Sequence, residues 1–257
     1  MKQKQIKSCA SMKPYPLCEP PGPVRVMTYN ILDGGVGRID PLCHVIESAR
    51  PDVVLLCEAI GHGQAMTMAR KLKMEIFPAQ SLRNPRGAVA LLSKLEIIEA
   101  TNLSAVDERH RHGALEAGIR YGNKVVRIFG THLGDEPLSE QSRTDEVGAI
   151  MECARRYPDD PTIILGDFGI PEAPVSPTGG SGWMAALTAD GWVDAQSIEA
   201  GAAADTTWPT YQPSVRRDFI FIKSYPGLRI TCYQVIRNPL ARFAGDHFPV
   251  VTELACE

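Results

Sequence analysis

The length of the apolar runs constrains this chain more than any other feature. Val24–Tyr29, Val53–Cys57, Ala88–Leu92, Leu115–Tyr121, Val125–Thr131, Thr162–Leu165, Phe219–Ile222, Arg229–Ile236 and Val250–Leu254 are all strand-sized. None approaches the roughly 18 residues that a membrane-spanning helix needs. Between them, 41–50, 63–72 and 139–156 carry helical spacing, the last with Ser139 as a candidate N-cap. Adjacent strands at 115–121 and 125–131, together with strand–helix alternation elsewhere, predict an α/β fold with mixed sheets. A proline-rich stretch at 171–182 reads as a loop, and residues 1–23 read as a flexible N-terminal lead-in. No repeat or shift of composition divides the remainder, so 24–257 is expected to form one domain.

Composition narrows the class. With 44% apolar and 22% charged residues, the chain is neither disordered, collagen-like nor a coiled coil. Its net charge of −3 shows no basic surplus advertising nucleic acid or a membrane surface, although a local basic groove is compatible with it. Seven scattered cysteines include no Cys-x-x-Cys pair, which suggests free thiols in a reducing compartment. Cys57 and Cys232 fall inside apolar runs and read as small buried hydrophobes. The basic N-terminus, Met1 to Lys7, is followed by no apolar stretch, so the expected location is cytoplasmic. No protein partner is evident.

Chemistry shows in where the polar residues fall. Asn30, Glu58, His132 and Asp167 each end an apolar run, Asp218 begins one, and Asp246-His247 precedes Phe248-Pro249-Val250. Singly, each has an ordinary reading as a turn-former, cap or core histidine. Together they place seven carboxylate, amide or imidazole residues at six strand ends, where such groups must be paired, solvated or metal-bound. The oxygen donors Asn30, Glu58, Asp167 and Asp246, without thiolate partners, suit Mg²⁺ or Mn²⁺. The histidines suit proton transfer or contact with a phosphoryl oxygen.

The ordered segments Met27-Thr28-Tyr29-Asn30, Pro51 to Glu58, Thr131-His132-Leu133, Gly166-Asp167-Phe168, Arg217 to Phe221 and Gly245 to Val250 resemble the endonuclease/exonuclease/phosphatase superfamily, whose fold is DNase I-like. The resemblance runs from about 24 to 254. It implies a four-layer αββα sandwich: two mixed β-sheets packed face to face, with helices outside. It also implies a Mg²⁺- or Mn²⁺-dependent phosphoesterase-type hydrolase. Glu58 would be the main metal ligand, with Asn30 and Asp246 close by. His247 would contact the scissile phosphate and exchange a proton, oriented by Asp218. Asp167 would position or deprotonate the attacking water, and His132 would bind a phosphate oxygen. The substrate class it implies is a phosphorylated small molecule, a lipid headgroup or a nucleic acid.

Departures from the family pattern bear on substrate. Gly169 stands where the family's Gly-Asp-x-Asn carries Asn, Val89 stands near a usual Asn, Gly245 replaces a usual Ser, and Cys57 a usual Gln. The first suggests a specialised phosphomonoester or phosphodiester. The alternatives are a nuclease proper, given the family's spread of substrates; a weakened member with a binding or regulatory role, motivated by the same glycine; and a non-phosphate substrate on the same metal site, its acid group held by the Arg/His cluster. The cluster Glu108 to His112 reads either as a solvated basic loop or as an oxyanion-binding rim of Arg109, Arg111 and His112. Trp183 and Trp192 read as core, whereas Trp208 and Tyr211 are candidates for stacking on a ligand ring.

Overall fold

The structure is a computed structural model that describes residues 22–81, 83–133, 140–169, 182–198 and 205–256. Most of the lead-in (1–21), the candidate cap Ser139 and residues 171–181 of the loop lie outside the described residues. Among the described residues twelve strands form two six-stranded sheets. The first contains β1 (Val24–Asn30), β2 (Val53–Cys57), β3 (Glu75–Ala79), β4 (Val89–Ser93), β11 (Leu228–Val235) and β12 (Val250–Cys256), in the order β11-β12-β1-β2-β4-β3. The second contains β5 (Ile97–Asn102), β6 (Gly113–Tyr121), β7 (Lys124–His132), β8 (Thr162–Asp167), β9 (Trp192–Asp194) and β10 (Asp218–Lys223), in the order β5-β6-β7-β8-β10-β9. Only β1·β2 and β7·β8 pair in parallel, so both sheets are mixed.

Helices α1 (Ile39–Ala49) and α2 (His62–Leu72) cover the first sheet, and α4 (Glu140–Ala154) and α5 (Gly182–Ala189) cover the second; α3 (Leu103–Val106) and α6 (Pro239–Ala244) are short. This is the αββα sandwich. Gly182, read from sequence as the end of a loop, starts α5 instead.

Strand periodicity explains the layering, because successive side chains point to opposite faces. In β8, Ile163 and Leu165 join the core between the sheets, while Ile164 joins the core beneath α4 and α5. In β10, Ile220 and Ile222 face the other sheet, and Phe219 and Phe221 face outward to pack with Phe168 and Trp183. Trp183 and Trp192 are buried there, as expected. Continuing the same parity to the strand ends carries His132, Asp167 and Asp218 onto the face between the sheets. The two sheets approach closely where a side chain is missing: a Cβ on Gly130 would lie 2.3 Å from Leu55 Cδ1 of the opposite sheet.

The strands that sequence pattern did not reveal, β3, β5 and β9, lie at sheet edges. An edge strand needs no apolar alternation on both faces, and it tolerates a proline such as Pro78 in β3. Cys57 is fully buried as read, but Cys232, on the edge strand β11, is only half-buried.

Gly113 is where the backbone itself forbids a side chain, since a Cβ would fall 1.7 Å from the Gly87 carbonyl oxygen. Gly113→Ala is expected to cost about 1–3 kcal/mol through forced backbone displacement. Gly148→Ala in α4, where a Cβ meets nothing within 4 Å, is expected to gain about 0.5–1 kcal/mol. Urea denaturation of the two variants checks the contrast.

Candidate active site

Strand register assembles the site. Across the second sheet His132 pairs with Asp167, and Asp167 with Asp218, so three functional side chains from β7, β8 and β10 stand in one row. Across the first sheet Asn30 pairs with Cys57, the residue before Glu58. The two rows meet at Asn30. Its amide nitrogen donates to Glu58 Oε1 at 3.1 Å and to Asp167 Oδ2 at 3.0 Å, linking both sheets.

Asp167 has no exposed surface, and a charged carboxylate there must be compensated. Burial pushes its pKa up, but Arg217, His247, His132 and the Asn30 amide together outweigh that and hold it well below the usual carboxylate range. The Arg217 guanidinium lies 3.4 Å from Oδ2, and the Nε2 atoms of His132 and His247 each lie 3.7 Å from it. The other oxygen, Oδ1, accepts the Gly169 N–H at 2.8 Å.

The two histidines are oriented from behind. His132 Nδ1 is 3.1 Å from the Arg86 carbonyl, which can only accept, so Nδ1 carries the proton and Nε2 faces Asp167. His247 Nδ1 is 2.8 Å from Asp218 Oδ2, which fixes its tautomer the same way. Burial lowers the His247 pKa, but the Asp218 and Asp167 charges more than reverse this and raise it to about 9. Asp218 is seated by Thr207, whose Oγ1 accepts from the backbone N–H groups of both Arg217 and Asp218.

Glu58 and Asp246 are different. Among the described residues neither carboxylate has a basic side chain paired with it. Glu58 accepts from Asn30 and, at Oε2, from the Asp33 N–H at 2.7 Å. Asp246 Oδ2 accepts from Trp208 Nε1 at 3.2 Å, while its Oδ1 is buried with no hydrogen-bond partner. Glu58, Leu32 and Asp33 adopt left-handed φ values of 56°, 52° and 47°, a strain typical of functional sites. Two carboxylates without basic partners among the described residues, one with an orphaned oxygen, suit a hard divalent cation, while the Asn30 carbonyl accepts the Leu32 N–H at 3.0 Å. A tighter group also exists: Asp167, Asp218 and His247 offer ligand atoms within 4.8 Å of one another. That group is balanced in part by Arg217 and by the His247 proton, although Asp218 Oδ1 is also buried without a hydrogen-bond partner.

Of the other sequence candidates, Arg109, Arg111 and His112 make no hydrogen bond or ion pair with this network among the described residues, whereas Trp208 and Gly169 touch it. His112 is buried, with Nδ1 3.1 Å from Glu146 Oε1 of α4. Arg109 forms ion pairs with Asp107 and with Glu152 of α4, in the outer layer. Arg111 is exposed and makes no ion pair among the described residues. Trp208 is half-buried: Asp246 holds its nitrogen, and the Arg217 guanidinium carbon sits 5.1 Å from its ring centre, so it backs the site. Tyr211 is 76% exposed. Gly169 has a φ of 72°, a conformation that itself favours glycine. Sequence reasoning did not single out Arg217, Thr207, Asp33 or Arg86. Of these only Arg217 carried a signal, a basic residue directly before a strand-initial Asp.

The His247 pairing has a measurable signature in stability. Folding raises its pKa from about 6.5 to about 9, so the folded state binds the proton more tightly. This contribution is complete below pH 6.5 and is lost as pH rises through about 9; in magnitude it is on the order of 3 kcal/mol. The metal-free protein is expected to lose melting temperature between pH 7 and 10, and Asp218→Asn to flatten that slope. Calorimetric melts across this range test it.

A sequence model of the Endonuclease/Exonuclease/phosphatase family matches residues 27–247. Among curated proteins no sequence matches the chain. Solved structures of the same fold include D. rerio TDP2 complexed with single-strand DNA product, at 18% identity and a TM-score of 0.71, covering 90% of this chain and 98% of that one. A Bacteroides thetaiotaomicron mannosyl-6-phosphatase superposes with a TM-score of 0.70 at 17% identity, covering 90% and 99%. An endonuclease/exonuclease/phosphatase from Beutenbergia cavernae gives 0.70 at 20% identity, covering 91% of this chain and 72% of that one. With a family match spanning both sheets and every residue of the Asn30–Glu58–His132–Asp167–Asp218–His247 network, the chain belongs to the Endonuclease/Exonuclease/phosphatase family.

Proposed function

We propose that this protein is a divalent-metal-dependent hydrolase of a phosphomonoester or phosphodiester. One observation carries the reading: a buried, ionised Asp167 faces two oriented histidines, next to a pair of carboxylates without cationic partners. Glu58, with Asn30 and Asp246, would hold Mg²⁺ or Mn²⁺. The ion would supply positive charge against the phosphoryl oxygens and the attacking water.

The remaining roles follow from protonation. Asp167, held far below the usual carboxylate range, is a poor proton acceptor and serves to aim the attacking water. Arg217 and Asn30 are the groups that keep it aimed. His247, protonated at neutral pH, binds a non-bridging oxygen and has a proton to give. Asp218 keeps that proton available, and His132 contacts a second phosphoryl oxygen through Nε2. The TDP2 and mannosyl-6-phosphatase neighbours point to nucleic acid or a phosphorylated small molecule as substrate, with a lipid headgroup on equal chemical footing. The scattered cysteines, four of which are free in the described structure, support a reducing, cytoplasmic location. No helix among the described residues is long and apolar enough to cross a membrane.

A panel of DNA, RNA, nucleotides, sugar phosphates, inositol phosphates and phospholipids, each with Mg²⁺, Mn²⁺ or EDTA, tests the reading. Turnover of at least one phosphoester, abolished by EDTA, is expected. Glu58→Gln and His247→Ala should each lower kcat by about 10²–10⁴-fold. Inactivity on every phosphoester, or activity indifferent to EDTA and to Glu58→Gln, refutes it.

Gly169 bears on which phosphoester. Its N–H holds Asp167, and Asn is among the few residues that tolerate its left-handed backbone. Gly169→Asn is therefore expected to fold, with a stability loss of about 1 kcal/mol. If the space beside Gly169 receives part of a specialised substrate, turnover of that substrate falls while generic diester cleavage stays low. A gain on a generic diester such as bis(p-nitrophenyl) phosphate, with no loss on the preferred substrate, favours the weakened-contact explanation instead.

A further inference from the structure

We propose that Arg86 is a receptor for the substrate's phosphoryl oxyanion at the mouth of the site, and that Asp33 occupies it until the anion arrives; the proposal rests on the phosphoester reading above. Arg86 sits on a short turn, Pro85–Gly87, whose backbone is fixed on three sides. Its N–H donates to Asn84 Oδ1 at 3.1 Å, and its carbonyl accepts the proton of His132 Nδ1 at 3.1 Å. Gly87 behind it is seated so closely that a Cβ would lie 3.1 Å from the Gly113 nitrogen and 3.3 Å from the His112 Cα. His112 is itself pinned to the buried Glu146. The turn is therefore a rigid platform attached to the phosphate-contacting histidine.

Asp33 is attached to Glu58, on a neighbouring loop of the same sheet. Its backbone N–H donates to Glu58 Oε2 at 2.7 Å, tying it to the metal-holding side. The Arg86 Nε–Asp33 Oδ1 ion pair, at 3.3 Å, thus joins two neighbouring loops of the first sheet, one holding Glu58 and the other orienting His132 of the second sheet. Among the described residues the two terminal guanidinium nitrogens of Arg86 make no hydrogen bond. Both side chains are exposed, 72% and 51%, and an exposed pair of this kind contributes little in water. A phosphoryl group accepting two parallel N–H bonds from the same guanidinium is a stronger partner. An arriving phosphoryl oxyanion is expected to displace the Asp33 carboxylate and place Arg86 beside His132.

Calorimetric titration of inorganic phosphate into the Mg²⁺-loaded protein tests this, using wild type, Arg86→Ala, Arg86→Gln and Asp33→Asn. Asn keeps the left-handed backbone that Asp33 adopts. Arg86→Ala and Arg86→Gln should weaken phosphate binding about tenfold or more. Asp33→Asn should tighten it about two- to fivefold, because it removes the competing carboxylate. The opposite signs separate a receptor and its occupant from a merely structural ion pair. Equal affinity for wild type and Arg86→Gln, weaker binding in Asp33→Asn, or no phosphate binding by wild type overturns the proposal. Failure of the functional reading looks different: wild type hydrolyses no phosphoester in the panel, yet phosphate affinity still depends on Arg86.

Discussion

A carboxylate with no exposed surface, Asp167, sits where the two sheets meet, and this end of the sandwich is organised around keeping it ionised. The compensating groups come from both sheets and from the segment leading into β10. Removing any one of them leaves part of a buried charge unbalanced, which costs more than the bond itself is worth. The site is thus a structural joint as much as a reactive centre. Asn30 is its hinge pin, because its single amide nitrogen touches a carboxylate of each sheet.

Two kinds of carboxylate emerge from this arrangement. Among the described residues Asp167 and Asp218 are matched by protein cations, whereas Glu58 and Asp246 are not. Fixed internal charge fixes protonation, so the matched pair holds a defined proton on His247 and none on Asp167. The unmatched pair leaves negative charge that a bound cation would balance. On the proposed reading, the unmatched side would take a cation and the matched side would keep a proton to donate.

The interior of the fold was legible from sequence because buried strands advertise themselves. Each run in β1, β2, β4, β6, β7, β8, β10, β11 and β12 was visible, whereas the edge strands β3, β5 and β9 carry too little alternation to be read. The helix α6 was missed despite a local signal: Asn238 followed by Pro239 is an N-cap with proline at the first turn, and Asn238 Oδ1 does accept the Ala241 N–H. For the site, strand-end position brought Asn30, His132, Asp167, Asp218 and His247 into one network. Residues defined by partnership rather than position were invisible. Nothing in the string of letters says that His112 turns inward to Glu146, or that the Arg86 carbonyl orients His132.

The notch at Gly130 has a consequence for how such a chain can drift. Leu55 of β2 fills the space of the absent side chain, two residues before His132 on one strand and three residues before Glu58 on the other. The gap between the two walls of the cleft is therefore set by how much volume positions 55 and 130 share. A methyl group gained at 130 must be surrendered at 55, or the walls separate and the groups on either side lose their common target. Those two positions are bound to covary in volume, although neither touches the chemistry.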